Sequence, residues 1–310
     1  MRLKRFSFSQ FIFNQKKKKT DEKKLVVPSD LSASIAAAKA AVSAPPVYLK
    51  ISFATDRGNI RETNEDNFYI DGKYRHKFKK SESDCYIELT ETPHLFGLFD
   101  GMGGEAFGET ASALSALELD KHSDDIKNAN ISDLPFEMNR FVRGANAAIC
   151  DMIADRESLR GGSTFTALCV KNLVAYPFYL GDSRIYLLDE NGFFQITEDQ
   201  TLAVRNIKAG VYTKEEAEDS PDNHMLTAYL GMDTADLGLD AQPCMPIPLK
   251  EGTKLMMCSD GLSDMCKKEE LEKIISRSCE NPAQELLNAA LSNGGVDNVT
   301  CIVVEAVNLI

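Results

Sequence analysis

The chain has 310 residues, 43% hydrophobic and 26% charged, a soluble globular composition with core enough for one large domain or two ordinary ones. Its 35 Lys+Arg face 47 Asp+Glu, and the net −12 divides into +8 for residues 1–50 and −20 for the rest, too acidic a body to bind nucleic acid through its phosphates. Eight Cys without a C-x-x-C pair and only four His argue against a disulfide scaffold and a His-built zinc centre, so any metal must be held by oxygen.

Residues 1–47 read as a basic, disordered tail running into Pro45-Pro46. Lys16 to Lys19 stand where a signal peptide would need its cleavage site, and no stretch approaches a membrane span, so a cytoplasmic protein is expected. Residues 1–24 hold 9 Lys+Arg, 2 Asp+Glu and five apolar side chains between Phe6 and Phe13. That mixture predicts either weak contact with the anionic inner membrane face or a merely solvated tail. Beyond it, residues 96–99 form a short apolar strand ending in Asp-Gly. Residues 104–119 have helical spacing with Phe107, Ala111, Leu114 and Leu117 on one face. A second helix, residues 136–153, aligns Phe141, Ala145, Ile149 and Met152. Strands follow at 164–170, 174–180, 183–188, 254–258 and 299–304. Asn281 before Pro282 caps a helix through Leu291. The mixture is α+β.

Aspartates recur at the ends of these strands. Asp100 follows residues 96–99, Asp260 follows 255–258, Asp182 follows 178–180, and Asp297 precedes 299–304. Glycines 101, 181 and 261 beside three of them permit sharp turns. Any one Asp-Gly is a hairpin signal; four together, with Asn64-Glu65-Asp66, point to a shared rim. Two carboxylates ~5 Å apart repel by about 3 kcal/mol at an effective dielectric of 20, so such a cluster needs cations. All-oxygen ligation favours Mg²⁺ or Mn²⁺, and a pair of such ions suits in-line displacement at phosphorus. Arg57 is the candidate fork for the phosphate oxygens.

Arg57-Gly58-Asn59, Asn64-Glu65-Asp66-Asn67-Phe68 and Phe99-Asp100-Gly101-Met102-Gly103-Gly104 resemble the opening of the metal-dependent type 2C Ser/Thr protein phosphatases, the PPM family, in its bacterial form. Gly162-Ser163-Thr164, Gly181-Asp182-Ser183-Arg184, Ser259-Asp260-Gly261-Leu262 and Asp297-Asn298-Val299-Thr300 follow in the family's order, so that the resemblance spans about residues 50–306. It implies a four-layer αββα sandwich of two mainly antiparallel sheets flanked by helices, over a catalytic domain at 48–310. It further implies hydrolysis of phosphoserine and phosphothreonine by a metal-bridged water. Asp100 would bridge two Mn²⁺ or Mg²⁺ ions, with the Gly101 carbonyl on the first and Asp260 and Asp297 on the second. Glu65 and Asp66 would support them, Asp182 with Asp260 would hold a third, weaker ion, and Arg57 would bind phosphate. Residues 197–233 resemble the mobile flap that influences substrate choice. The substrates would be phosphoproteins of a cognate Ser/Thr kinase in a signalling system, and a monomer is expected. Met102 stands where many eukaryotic members carry a His proposed as general acid; a thioether cannot donate a proton, so the leaving group must be protonated by water at the metals or by another group.

Three other readings compete. Residues 101–106 satisfy G-x-G-x-x-A, with Asp120 about 20 residues on, as a dinucleotide site would. Asp100 would then place a carboxylate beside the pyrophosphate, which argues against it. Cys150 to Arg156 matches C-x₅-R, the spacing of cysteine-nucleophile phosphatases, but the segment has two aspartates, no glycine and a helical apolar face. Cys150 is therefore expected to be an ordinary helix residue. A catalytically weak phosphoprotein-binding regulator on the same fold predicts a missing ligand, and none is missing.

Overall fold

Residues 94–99, His-Leu-Phe-Gly-Leu-Phe, put bulky side chains at every position except Gly97, and a strand must send them to both faces. Such a strand belongs inside a layered sandwich. The computed structural model describes residues 47–75, 81–91, 93–103, 107–154, 161–218, 220–233 and 239–308, all in one unit from Pro45 to Ile310. Residues 1–46, which make up nearly all of the expected tail, lie outside the described residues. The first half runs β1 (Val47–Asp56), β2 (Asn67–Ile70), β3 (Lys73–Tyr74), β4 (Ser81–Leu89), β5 (His94–Phe99), β6 (Gly101–Met102), α1 (Phe107–Asn128) and α2 (Leu134–Ile153). Then follow β7 (Gly162–Ser163), β8 (Phe165–Lys171), β9 (Val174–Leu180), β10 (Arg184–Asp189), β11 (Gly192–Gln195), α3 (Leu202–Lys208), α4 (Lys214–Glu218) and a 3₁₀ turn (Pro221–His224). The chain closes with β12 (Gln242–Pro243), β13 (Ile247–Pro248), β14 (Lys254–Cys258), α5 (Asp260–Ser263), α6 (Lys268–Ile275), α7 (Pro282–Ser292) and β15 (Val299–Asn308).

Besides a small sheet of β6 and β7, two large antiparallel sheets result. One has the order β11-β10-β14-β15-β1-β4; the other has β12-β9-β8-β5-β2-β3, with β13 also on β9. Three buried clusters show the layering. Between the sheets lie Ile51, Phe68, Phe96, Leu98, Met257 and Ile302. The opposite face of β5, Leu95 and Phe99, packs with Leu119 of α1 and Phe141 and Ile149 of α2. The opposite faces of β14 and β15, Met256, Cys258, Cys301 and Val303, pack with Leu271 of α6 and Leu286 of α7. The order helix, sheet, sheet, helix is the expected αββα sandwich.

Two local expectations change. Leu117 is exposed, because the buried arc of α1 runs through Ala111, Ser115, Leu119 and Ile126 and Leu117 falls on its far side. The long strands β1 and β4 were not singled out from the sequence: β4 is an edge strand rich in Ser, Asp and Glu. At one end of the sandwich His94, 2% exposed, bridges both sheets. Its Nδ1 lies 3.0 Å from Asp71 and 3.3 Å from Glu88, and its Nε2 3.0 Å from the Leu89 carbonyl. Both nitrogens face acceptors, an arrangement that favours the doubly protonated ring. Burial alone would lower its pKa, but Asp71, the Leu89 carbonyl and Glu88 together raise it.

Candidate active site

Strand register decides where the aspartates go. Asp56 pairs with Val299, and Cys258 with Cys301, so Asp260 and Asp297 flank the same sheet end as the close of β1. In the other sheet Asn67 pairs with Phe99 and Phe165 with Leu180, placing Asp66, Asp100 and Asp182 at one end of it. The two ends meet: Ser259 Oγ donates to Asp66 Oδ2 at 2.8 Å across the sheets. All the sequence-predicted aspartates therefore come to one rim, opposite His94 on β5.

Each motif has a local reason. Asn298 accepts from the Glu65 N–H at 2.7 Å and donates to the carbonyls of Arg57 and Thr63 at 2.9 and 2.8 Å, stitching the β1–β2 loop to the start of β15. Asn59 ties the same loop to the carbonyls of Leu291 and Gly294. The Asp100 N–H donates to Thr164 Oγ1 at 3.0 Å, and Thr164 shares a 2.6 Å bond with Ser183, so the Gly-Ser-Thr and Gly-Asp-Ser motifs fix Asp100 together. Gly101 has to be glycine, since a Cβ there would lie 2.2 Å from the Gly108 carbonyl oxygen and 2.4 Å from that of Glu65. A Cβ on Gly261 would meet the Asn298 carbonyl at 2.0 Å. Behind Asp66 runs a hydroxyl chain. Asn64 Nδ2 donates to Thr55 Oγ1 at 2.9 Å, and the Thr55 and Thr300 hydroxyls lie 2.7 Å apart.

The electrostatics show what has been gathered. Burial and then the neighbouring charges of Asp260, Asp66, Asp182 and Asp297 hold Asp100 well above the usual carboxylate range. Burial, against the hydrogen bonds of Thr300 and Ser259, raises Asp66 to about 7, with Asp260 and Asp297 adding to the rise. Asp182 is pushed to about 8 by burial and Asp260, and Asp260 to about 6 by burial, Asp264 and Asp297. Burial raises Glu65 too, opposed by Arg61. Among the described residues, a donor trio at this end with all ligand atoms within 4.8 Å joins Asp260 to two residues the sequence did not suggest, Asp264 and His224. His224 comes from the expected flap segment, and its Nδ1 lies 3.8 Å from Asp264.

The arginines divide differently from expectation. Arg57 donates to the Glu62 carbonyl at 3.3 Å, and its Nε is buried without a hydrogen-bond partner. Arg61, with its side chain 55% exposed, donates from Nη2 to Asp297 Oδ2 at 2.7 Å. It is Arg61 whose guanidinium touches the aspartate cluster. The signal was present four residues before Glu65, but Arg57 in its Asp-Arg-Gly turn drew the reading. Cys150 lies within α2, its Sγ 3.6 Å from the Met232 carbonyl, and burial raises its thiol pKa, so no activated thiolate is formed; Arg156 lies outside the described residues. Asp120 is a mid-helix residue bonded to the Tyr69 hydroxyl, which removes the dinucleotide reading.

Two facing antiparallel sheets, flanking helices and an aspartate rim at one end define the metal-dependent phosphatase class of fold. Comparisons with known proteins agree. The protein phosphatase 2C family model matches residues 60–206. PstP, a serine/threonine protein phosphatase of Mycobacterium tuberculosis, is 32% identical over 265 residues, 84% of this chain; the chain spans 46% of the length of PstP. The serine/threonine phosphatase stp of Listeria welshimeri is 29% identical over 257 residues, covering 82% of this chain and 94% of the relative. The crystal structure of M. tuberculosis PstP superposes with a TM-score of 0.67 at 29% identity, over 84% of this chain and all of that one. A structure of the PstP catalytic domain in complex with two manganese ions superposes with a TM-score of 0.65 at 29% identity, again over 84% of this chain and all of that one. The chain is thus similar, over most of its length, to the protein phosphatase 2C (PPM) family in its bacterial form.

Proposed function

We propose that this chain is a divalent-metal-dependent protein phosphatase that hydrolyses phosphoserine and phosphothreonine. The observation that carries the reading is the meeting of Asp66, Asp100, Asp182, Asp260 and Asp297 at one end of the sandwich, each of the first four lifted by burial and by like charge. The donor set fits Mn²⁺ or Mg²⁺: it is all oxygen, buried at Asp66 and half-buried at Asp100, Asp182, Asp260 and Asp297, and self-repelling until cations enter. In this reading Asp100, the Gly101 carbonyl, Asp260 and Asp297 hold two ions, Glu65 and Asp66 support them, and Asp182 with Asp260 takes a third. When bound, such ions supply Lewis acidity that acidifies water and offsets phosphate charge. Arg61 is the residue that meets the phosphate oxygens, because it pairs with Asp297 and still faces solvent; Arg57 braces the loop behind it. Met102 has no proton to give, so the leaving oxygen takes its proton from water.

The substrates in this reading are phosphorylated proteins of a cognate Ser/Thr kinase, met by a cytoplasmic monomer whose residues 1–24 touch anionic membrane weakly. No helix among the described residues is long and apolar enough to cross a membrane. The direct test replaces Asp100, Asp260 or Asp297 by Asn. Each variant should fold and lose turnover of a phosphothreonine peptide, since Asn keeps the shape and removes a charged ligand. Near-normal turnover in any one of the three would remove that residue from the metal set.

A further inference from the structure

Arg75 lies just beyond β3, outside every motif above, yet it reaches the acidic turn from behind. It is 6% exposed, and a single nitrogen, Nη2, donates to two carbonyls, that of Asn64 at 2.6 Å and that of Asp66. These two carbonyls bracket Glu65. The backbone that carries the guanidinium is itself fixed. Asn67, 1% exposed, accepts from the Arg75 N–H at 3.0 Å and donates to the Arg75 carbonyl at 3.1 Å, so its side chain acts as one more rung of the β2–β3 hairpin. Asp66 is then gripped from two sides, by Arg75 at its carbonyl and by Ser259 at its carboxylate. On the other wall of the rim, burial raises the pKa of Glu109 on α1, a rise that the Arg75 charge opposes and the Glu65 charge adds to.

We propose that Arg75 is a positioning residue for the metal centre, fixing the Asn64–Asp66 turn so that Glu65 and Asp66 are presented to the ions at a set distance from Asp100. The carboxylates of a self-repelling rim tend to spread apart; the Glu65 N–H is tied to Asn298 ahead of β15, and within the turn the Asp66 N–H is tied to the Asn64 side chain. The two carbonyl contacts of Arg75 supply the opposing hold. Because one nitrogen makes both, a lysine ammonium can replace it in kind, with a shorter reach.

The inference rests on the metal-centre reading. Its test is Mn²⁺ binding to the full chain, followed by calorimetry and by loss of the free Mn²⁺ paramagnetic resonance signal, in wild type, R75K and R75M. R75M should bind Mn²⁺ at least tenfold more weakly and R75K about threefold, with the KM for phosphopeptide unchanged at saturating Mn²⁺, since Arg75 touches no substrate. Where R75M fails to fold, R75K decides. A lowered melting temperature with wild-type Mn²⁺ affinity in R75K and R75M would make Arg75 a packing residue and overturn the inference. No Mn²⁺ binding by the wild type would instead overturn the metal-centre reading itself.

Discussion

Single residues carry the chemistry, and the two arginines separate what the sequence could tell from what it could not. Arg57 and Arg61 both precede Asn64-Glu65-Asp66, and nothing in their spacing says which guanidinium turns toward the rim. The fold decides: Arg61 bonds Asp297 and Arg57 bonds a carbonyl of its own loop. Charge-assisted hydrogen bonds contribute roughly 1.5–3 kcal/mol each. Arg61→Ala should therefore lower kcat/KM for a phosphothreonine peptide on the order of a hundredfold, and Arg61→Lys should recover part of it. Arg57→Ala should cost less in rate and more in stability. Steady-state kinetics beside thermal melts of the two variants check the division, and the reverse ranking would return the phosphate contact to Arg57. The aspartates were legible because each stands beside a glycine or asparagine at a strand end. The roles of Ser259, Asp264, His224 and Arg75 were not, since each shows only in side-chain contacts that the fold makes.

Among elements, β5 and β14 were readable because both faces are buried and the sequence is continuously apolar or nearly so, whereas the central strand β1 was not, its apolar run being broken by Lys50, Ser52 and Thr55. β4 was not, being an edge strand whose Glu and Asp side chains break any such run. The α7 cap was read correctly: Asn281 accepts from the Gln284 N–H at 3.1 Å. The first turn of α1 shows how closely elements meet at the rim. Gly101 sits between the Glu65 and Gly108 carbonyls, both rigid backbone, so a methyl group has nowhere to go. Gly101→Ala should cost about 3 kcal/mol of stability by overpacking, measured by urea unfolding. It should also weaken Mn²⁺ binding, because relief requires Glu65 or Asp100 to move. Unfolding at the wild-type urea midpoint would show that the rim tolerates more movement than this packing allows.

The whole molecule concentrates like charge at one end of a sandwich, and this makes stability depend on pH. Asp66, Asp182 and Asp260 stand at about 7, 8 and 6, above the ordinary 3.8. Without ions the folded chain keeps protons that the unfolded chain has released. Stability from these groups is full below pH 4 and lost as pH rises through 6 to 8. In chelator, the melting temperature should therefore fall from pH 6 to 8.5; with saturating Mn²⁺ it should not, and the gap between the two should widen. A constant gap would mean the carboxylates are not held against one another. The order of motifs made this scale legible, while the closing of the two sheet ends over Asp66 and Ser259 required the fold. The central claim is metal-dependent hydrolysis at this rim, and turnover of a phosphothreonine peptide by the full chain tests it most directly, measured with Mn²⁺, after chelation, and after Mn²⁺ is restored. Activity that stops on chelation and returns with Mn²⁺ is the predicted result; turnover that survives chelation, or none with Mn²⁺ present, would contradict it.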